Sequence, residues 1–377
     1  MQIKRIQGIE KELAPKRALI IYGPRRIGKT TMVKAYFEGL QGTRALFSVG
    51  DDVRIQQLLG SGLRKEILDW ARPYEIIILD EAQYVPNVGE ATKMIIDEYP
   101  EKIIILTGSS SFTISQQAGE PLTGRHFTIT LLPLMLSELE LTNYEKKEHL
   151  IDLLIYGAYP EVLITEDVKE KRRILEELAH SYLLKDILVL DKIKSPDSLL
   201  DILKALAFQI GNEVSYSEIA KLVGRDVKTV QRYIDILEKT FVIKKVRAFS
   251  RNMRNEITKK SKFYFYDLGI RNALINNFNE PDLRNDTGAL WENFIFMELY
   301  KKSKAKRDGR EFYFWRTHTG QEVDIVIEGD GKIEAYECKW TKTSKIGGLA
   351  RFKENYPDVN VGVIHRDNFL EYLMRDF

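Results

Sequence analysis

Short apolar runs alternate with mixed, helix-period stretches over the first third of the chain. Ala18–Tyr22, Arg44–Ser48, Glu75–Leu79, Lys102–Thr107 and Phe127–Leu131 read as strands. Continuous apolar runs of this length suit strands covered on both faces. Thr30–Gly39, Arg54–Trp70 and Val88–Glu98 lie between them and read as helices. This alternation predicts an α/β domain over residues 1–134, built on a parallel sheet with helices on both sides. Its ligand is expected beyond the carboxyl ends of the strands.

From Met135 to Phe208 the pattern is helical, broken once at Gly157-Ala158-Tyr159-Pro160. A helical lid over 135–209 is the simplest reading. Residues 210–286 differ again. Ser215 can cap a helix, with Glu218 at the capping-box spacing, Gly224 supplies a turn, and Asp226 opens a second helix carrying Lys228 and Arg232. Phe241–Val246 and Lys262–Tyr266 follow as strands, joined by a basic loop with Arg247, Arg251, Arg254, Lys259 and Lys260. That order reads as a winged helix-turn-helix. The last unit, 287–377, begins with a helix, Gly288–Lys302. Strands Glu311–Trp315, Glu322–Ile327, Lys332–Trp340 and Asn360–Ile364 follow, the middle two joined by a hairpin turn at 328–331.

Composition narrows the setting. The 377 residues are 44% hydrophobic, enough for several cores, and a net charge of +2 leaves any nucleic-acid argument to local clusters. The single cysteine, Cys338, excludes an intramolecular disulfide framework and points to a reducing compartment. No apolar run approaches the ~20 residues that span a bilayer, and no signal-peptide pattern opens the chain. A cytoplasmic protein without membrane partners is expected.

The chemistry begins at Gly23-Pro24-Arg25-Arg26-Ile27-Gly28-Lys29-Thr30, followed by Thr31. It sits between a strand and a helix, the context a phosphate-binding loop requires. The glycines let successive N–H groups face phosphate, and the helix N-terminus adds positive potential. Lys29 is placed to reach the β- and γ-phosphates and Thr30 to coordinate magnesium. The bland alternative is a chance glycine-rich turn. The run Glu75–Leu79 ends in Asp80 and Glu81. Asp80 is expected on the magnesium and Thr30, Glu81 on the attacking water. ATP and Mg2+ are the expected cofactors.

A second cluster is predicted in the C-terminal hairpin. Glu337 and Lys339 are two apart and share a sheet face, and folding at Asp330-Gly331 brings Asp324 opposite Glu337. Two carboxylates and a lysine can form a metal site for phosphodiester cleavage, with Glu292 on the preceding helix completing it. A solvated sheet face with an ordinary Glu337–Lys339 pair is the competing reading.

These motifs together resemble the bacterial and archaeal AAA-like ATPases that carry a C-terminal nuclease-like domain of the restriction-endonuclease type. The likeness runs across nearly the whole chain. It includes the phosphate loop, Leu79-Asp80-Glu81-Ala82-Gln83, Leu106-Thr107-Gly108-Ser109, Leu122-Thr123-Gly124-Arg125, Tyr156-Gly157-Ala158-Tyr159-Pro160-Glu161, Leu290-Trp291-Glu292-Asn293, Glu322-Val323-Asp324 and Glu337-Cys338-Lys339. Ala158 stands where the family has a second glycine. The resemblance implies that Ser109 is a polar sensor beside the γ-phosphate. It implies that Arg125 is an arginine finger or nucleotide sensor, which, if supplied in trans, requires a homo-oligomer. It implies that Glu292, Asp324, Glu337 and Lys339 form the nuclease fold's four-part site. Arg25 and Arg26 are expected in salt bridges with the sheet edge rather than in catalysis.

Two functions follow. One is an ATP-driven protein acting on DNA through the winged helix and the C-terminal domain, with metal-dependent cleavage. The other is an ATP-dependent switch or scaffold whose nuclease-like domain only binds nucleic acid or protein. The winged helix itself is either a DNA reader or a lever within the ATPase.

Overall fold

The structure is a computed structural model that describes residues 3–108, 122–182, 196–250, 260–317, 319–342 and 347–375. The N-terminal third folds around a five-stranded, all-parallel sheet. Its elements are β1 (Ala18–Tyr22), α1 (Lys29–Glu38), β2 (Ala45–Val49), α2 (Val53–Gly60), α3 (Arg64–Ala71), β3 (Ile76–Asp80), α4 (Val88–Glu98), β4 (Ile103–Gly108) and β5 (His126–Thr130). The strand order is β2-β3-β4-β1-β5.

Every strand expected in this sheet forms within one residue of its predicted ends. The predicted helix Arg54–Trp70 is instead two helices, α2 and α3, because Gly62 takes a left-handed conformation (φ 70°) between them. Alternate residues of β1 serve opposite cores. Leu19 and Ile21 face one side, while Ala18, Ile20 and Tyr22 face the side covered by α2, α3 and α4.

The helical stretch comprises α5 (Asn143–Glu148), α6 (Leu150–Tyr156), α7 (Pro160–Ile164), α8 (Val168–Glu177) and α9 (Pro196–Phe208). Its core is continuous with one face of the parallel sheet. Next come β6 (Glu213–Val214), α10 (Tyr216–Val223), α11 (Val227–Lys239), β7 (Ile243–Ala248), β8 (Ser261–Phe265) and α12 (Leu268–Leu274). Ser215 Oγ accepts the Glu218 N–H and Asp226 Oδ1 accepts the Thr229 N–H, so both expected N-caps form. Of the expected basic loop, Arg251, Arg254 and Lys259 lie outside the described residues.

The C-terminal elements are α13 (Thr287–Lys306), β9 (Glu311–Arg316), β10 (Glu322–Gly329), β11 (Lys332–Cys338), α14 (Gly347–Asn355), β12 (Val359–Ile364) and α15 (Phe369–Leu373). The hairpin turn is the two residues Asp330 and Gly331, both at positive φ, as a tight hairpin requires.

One feature departs from the predicted division at 286/287. β7 pairs in parallel with β9, so the strands on either side of that boundary form one seven-stranded sheet, ordered β12-β11-β10-β9-β7-β8-β6. The long helix α13 is buried along most of its length against this sheet and the segment at 134–136.

Candidate functional site

The phosphate loop leaves β1 at Gly23, where φ is 153° and a Cβ would lie 2.2 Å from the Leu131 carbonyl oxygen. No larger residue fits there. Lys29 is buried at the start of α1, and its ammonium donates to the carbonyls of Gly23 (2.9 Å) and Pro24 (2.7 Å). Arg5 donates to the Ile27 carbonyl (2.7 Å) and the Leu132 carbonyl (2.9 Å) and pairs with Glu138 (3.1 Å), bracing the loop from behind. Burial works to lower the Arg5 pKa, partly offset by Glu138.

β3 carries the acidic pair to the same edge. Thr30 Oγ1 donates to Asp80 Oδ2 at 2.8 Å, and Thr107 Oγ1 donates to Asp80 Oδ1 at 2.5 Å. The Thr107 hydroxyl also accepts the Glu81 N–H (3.0 Å). Glu81 is held at φ 53°, ψ 41°, and its carboxylate accepts the Gln83 side-chain amide. A non-glycine residue in the left-handed region is a local strain that its surroundings must impose. Thr30 and Asp80 therefore fit a hydrated magnesium accompanying a nucleotide: both carboxylate oxygens of Asp80 are already fixed by hydroxyls. Thr107 and Gln83 had no individual role in the sequence reading. The signal for Thr107 was its place at the end of β4, next to β3.

The remaining loop residues divide. Arg25 donates to Tyr84 OH (3.2 Å), on the turn after Glu81. Arg26, at φ 56°, pairs with Glu161 (3.0 Å) and Glu177 (3.9 Å) of the helical stretch, not with the sheet edge as expected. Ser109 lies outside the described residues.

Arg125 is not placed to serve its own phosphate loop. It precedes β5, and its carbonyl accepts the Ala18 N–H at the start of β1, so it lies at the amino edge of the sheet. The phosphate loop lies at the carboxyl edge, roughly 15 Å away along a five-residue strand. Arg125 cannot sense nucleotide in its own loop. It pairs instead with Asp97 (3.0 Å) beside a cleft of about 610 Å³ that Lys16 and Arg17 also line.

The C-terminal residues do come together. Ile325 pairs with Tyr336, which sets Asp324 beside Glu337 as expected. The face is not solvated: Asp324 is 3%, Glu337 5% and Glu292 8% exposed. Lys339 Nζ lies 2.7 Å from Glu337 and 3.7 Å from Asp324. Asp324 Oδ2 accepts the Cys338 N–H (2.8 Å). The cluster also holds Lys262 of β8, absent from the pattern of the hairpin, whose buried ammonium donates to Glu292 Oε1 at 2.8 Å and lies 3.9 Å from Asp324. Tyr264 OH donates to the same Glu292 oxygen at 2.5 Å. A lysine heading an otherwise aromatic strand, Lys262-Phe263-Tyr264-Phe265, was the available signal.

Burial pushes the Glu292 carboxyl up to about 7 against the pull of Lys262. It also raises Glu337, helped by the charge of Asp324. Burial works against charge on Lys262 as well, but the carboxylates of Glu292 and Asp324 outweigh it and its pKa is raised. Among the described residues no group of three His, Cys, Asp or Glu side chains is arranged to hold a metal ion.

Residues 15–140 match the family model of an AAA domain. Residues 147–281 match a domain of unknown function, DUF8612, and residues 287–372 another, DUF4143. The chain therefore combines an AAA-type P-loop domain with a DUF4143 region at its C-terminus. An uncharacterized protein of Mycobacterium tuberculosis is 24% identical over 337 residues, 88% of this chain and 72% of that protein. An uncharacterized protein of Methanocaldococcus jannaschii is 24% identical over 375 residues, 94% and 82% of the two chains. One from Haemophilus influenzae is 23% identical over 364 residues, 90% and 87%. No helix among the described residues is long and apolar enough to cross a membrane.

Proposed function

We propose that this protein is a magnesium-dependent ATPase that works as a nucleotide-driven switch on DNA. The observation that carries the reading is the bonded chain Thr30–Asp80–Thr107–Glu81 beside a buried phosphate-loop lysine. Lys29 exchanges its loop carbonyls for the β- and γ-phosphates. Thr30 and Asp80 are the residues that would hold a magnesium ion, which would neutralise phosphate charge. Glu81, held by Gln83, orients the attacking water. Arg125, remote from its own loop, is assigned to the nucleotide of a neighbouring copy.

The test is phosphate release from ATP. Lys29→Ala and Glu81→Gln each abolish it. Mixing Lys29→Ala with Arg125→Ala protein restores a part only where Arg125 acts in trans. Undiminished release by Glu81→Gln overturns the assignment of that carboxylate.

The DNA assignment rests on α10, α11, β7 and β8 as a winged helix, with Lys221, Lys228, Arg232, Arg247 and Lys260 exposed. Phosphate contacts make binding salt-dependent. Removing Lys228 and Lys260 should therefore reduce the slope of log affinity against log salt by roughly 0.9 per contact, read by fluorescence anisotropy on a duplex. An unchanged slope leaves the unit as a lever within the ATPase.

A second reading, metal-dependent DNA cleavage by a nuclease-like C-terminal unit, is favoured by one observation: Asp324, Glu337 and Lys339 adjoin on neighbouring strands. Plasmid nicking lost in Glu337→Ala would support it. The two readings differ in whether that cluster takes a divalent cation.

A further inference from the structure

The carboxylates of Asp324, Glu292 and Glu337 each already have a cation. Glu292 Oε1 receives both Lys262 Nζ at 2.8 Å and Tyr264 OH at 2.5 Å. Asp324 lies between two ammonium groups, Lys262 Nζ 3.9 Å from Oδ1 and Lys339 Nζ 3.7 Å from Oδ2, while Oδ2 also accepts the Cys338 N–H. Glu337 Oε2 is taken by Lys339 at 2.7 Å. Behind Glu337, the backbone of Gly348 approaches so closely that a Cβ there would lie 2.8 Å from Oε1.

A divalent ion needs several oxygens at about 2.0–2.6 Å around a single point. The point shared by Glu292 and Asp324 is filled by an ammonium. That ammonium is closed off from solvent, with Lys262 2% exposed, and its strand is held on both sides by β7 and β6. A lysine free to leave would sit at a surface and snorkel to water. At this point the residues present do not fit a divalent metal, and between Asp324 and Glu337 the partly exposed Lys339 ammonium stands where an ion would.

We propose that Lys262 is the resident cation of this cluster: its ammonium takes the place of a divalent metal and seals the C-terminal carboxylates as an internal ion network. The network also has a mechanical consequence. Lys262 belongs to β8, on the helix-turn-helix side of the seven-stranded sheet, whereas Glu292 and Asp324 belong to α13 and β10. The ion pairs tie these elements together across the β7–β9 junction, so the cluster acts as a strap between the two halves of the sheet. Removing one partner of a buried ion network leaves a charge without compensation, which is strongly destabilising. This inference concerns the C-terminal cluster alone and stands whether or not the N-terminal site hydrolyses ATP.

The experiment is Mn2+ binding to the full, nucleotide-free chain, read from the electron-paramagnetic-resonance signal of free Mn2+. The wild type and Asp324→Asn are expected to bind equally, with no Mn2+ lost on removing Asp324. Lys262→Met, which keeps an unbranched side chain one atom shorter and without the charge, is expected to bind one Mn2+ at least tenfold more tightly than the wild type. Adding Asp324→Asn to Lys262→Met abolishes that gain. A wild-type site that disappears in Asp324→Asn overturns the proposal, as does a Lys262→Met protein with unchanged Mn2+ affinity. Should Lys262→Met fail to fold, the comparison of wild type with Asp324→Asn still decides between a metal centre and a sealed ion network.

Discussion

Arg26, inside the phosphate loop, reaches out to Glu161 at 3.0 Å and so ties the loop to the Gly157-Ala158-Tyr159-Pro160-Glu161 segment. The same segment is anchored at its other end, where Asp267 accepts the Ala158 N–H at 2.7 Å. A loop of phosphate-binding type is thereby joined, through a short stretch of chain, to Asp267 at the start of α12, two residues beyond the strand that carries Lys262.

The Arg26 pair is partly exposed, so its loss should cost no more than about 1 kcal/mol. Its backbone matters as much. With φ at 56°, Arg26→Ala keeps the left-handed strain whereas Arg26→Gly relieves it. Thermal unfolding should therefore place Arg26→Gly above Arg26→Ala by about 1 kcal/mol. Since both variants lack the guanidinium, the reverse order would show that left-handed strain at this position is outweighed by the freedom glycine adds to the unfolded chain.

Thr107 should behave as a positioning residue for Asp80 and Glu81. Thr107→Val removes one donor and one acceptor at buried, charged partners, a loss of about 1.5–3 kcal/mol. Phosphate release is expected to slow roughly 10- to 100-fold, with Thr107→Ser restoring most of it. Equal rates in the valine and serine variants would remove the hydroxyl from the account.

Asp286 should make stability depend on acid. Burial raises its pKa, but hydrogen bonds from Arg284 and Arg271 and their charges prevail and lower it to about 2. A carboxyl depressed in the folded state adds stability above its unfolded pKa and loses it as pH falls through the folded value. The contribution is about 2 kcal/mol at pH 7 and roughly half that at pH 3. Denaturant titrations of Asp286→Asn against wild type at the two pH values measure it, and a difference that does not shrink with acid contradicts the linkage.

Gly157 is the least replaceable residue of the linking segment. Its φ is 73°, and a Cβ would lie 2.2 Å from Asp267 Oδ1, the buried carboxylate that caps α12. Gly157→Ala should lower stability by about 3 kcal/mol, whereas Ala158→Gly should cost about 1 kcal/mol or less. Comparable melting temperatures for the two variants would mean that the segment moves aside.

The N-terminal domain was legible because its signals are local. Five apolar runs name the strands, and a strand-loop-helix sequence with Gly23, Gly28, Lys29 and Thr30 names the phosphate loop. The break at Gly62 was hidden, since one glycine in a helix-period stretch reads as a tolerated defect. The hairpin register that places Asp324 beside Glu337 was also legible, because a two-residue Asp-Gly turn sets the pairing of everything around it.

Sequence alone thus determined the strands of the N-terminal sheet, the nucleotide-type loop and the grouping of Asp324, Glu337 and Lys339. Tertiary structure decided three things: that Arg125 stands at the wrong edge for its own loop, that β7 joins β9, and that Lys262 enters the acidic cluster. Each is a contact between segments far apart in the chain. Arg247 meets Tyr313, and Lys262 meets Glu292 and Asp324. Such contacts leave no periodicity to read, because their energy comes from burial and charge pairing that exist only once the sheet has closed.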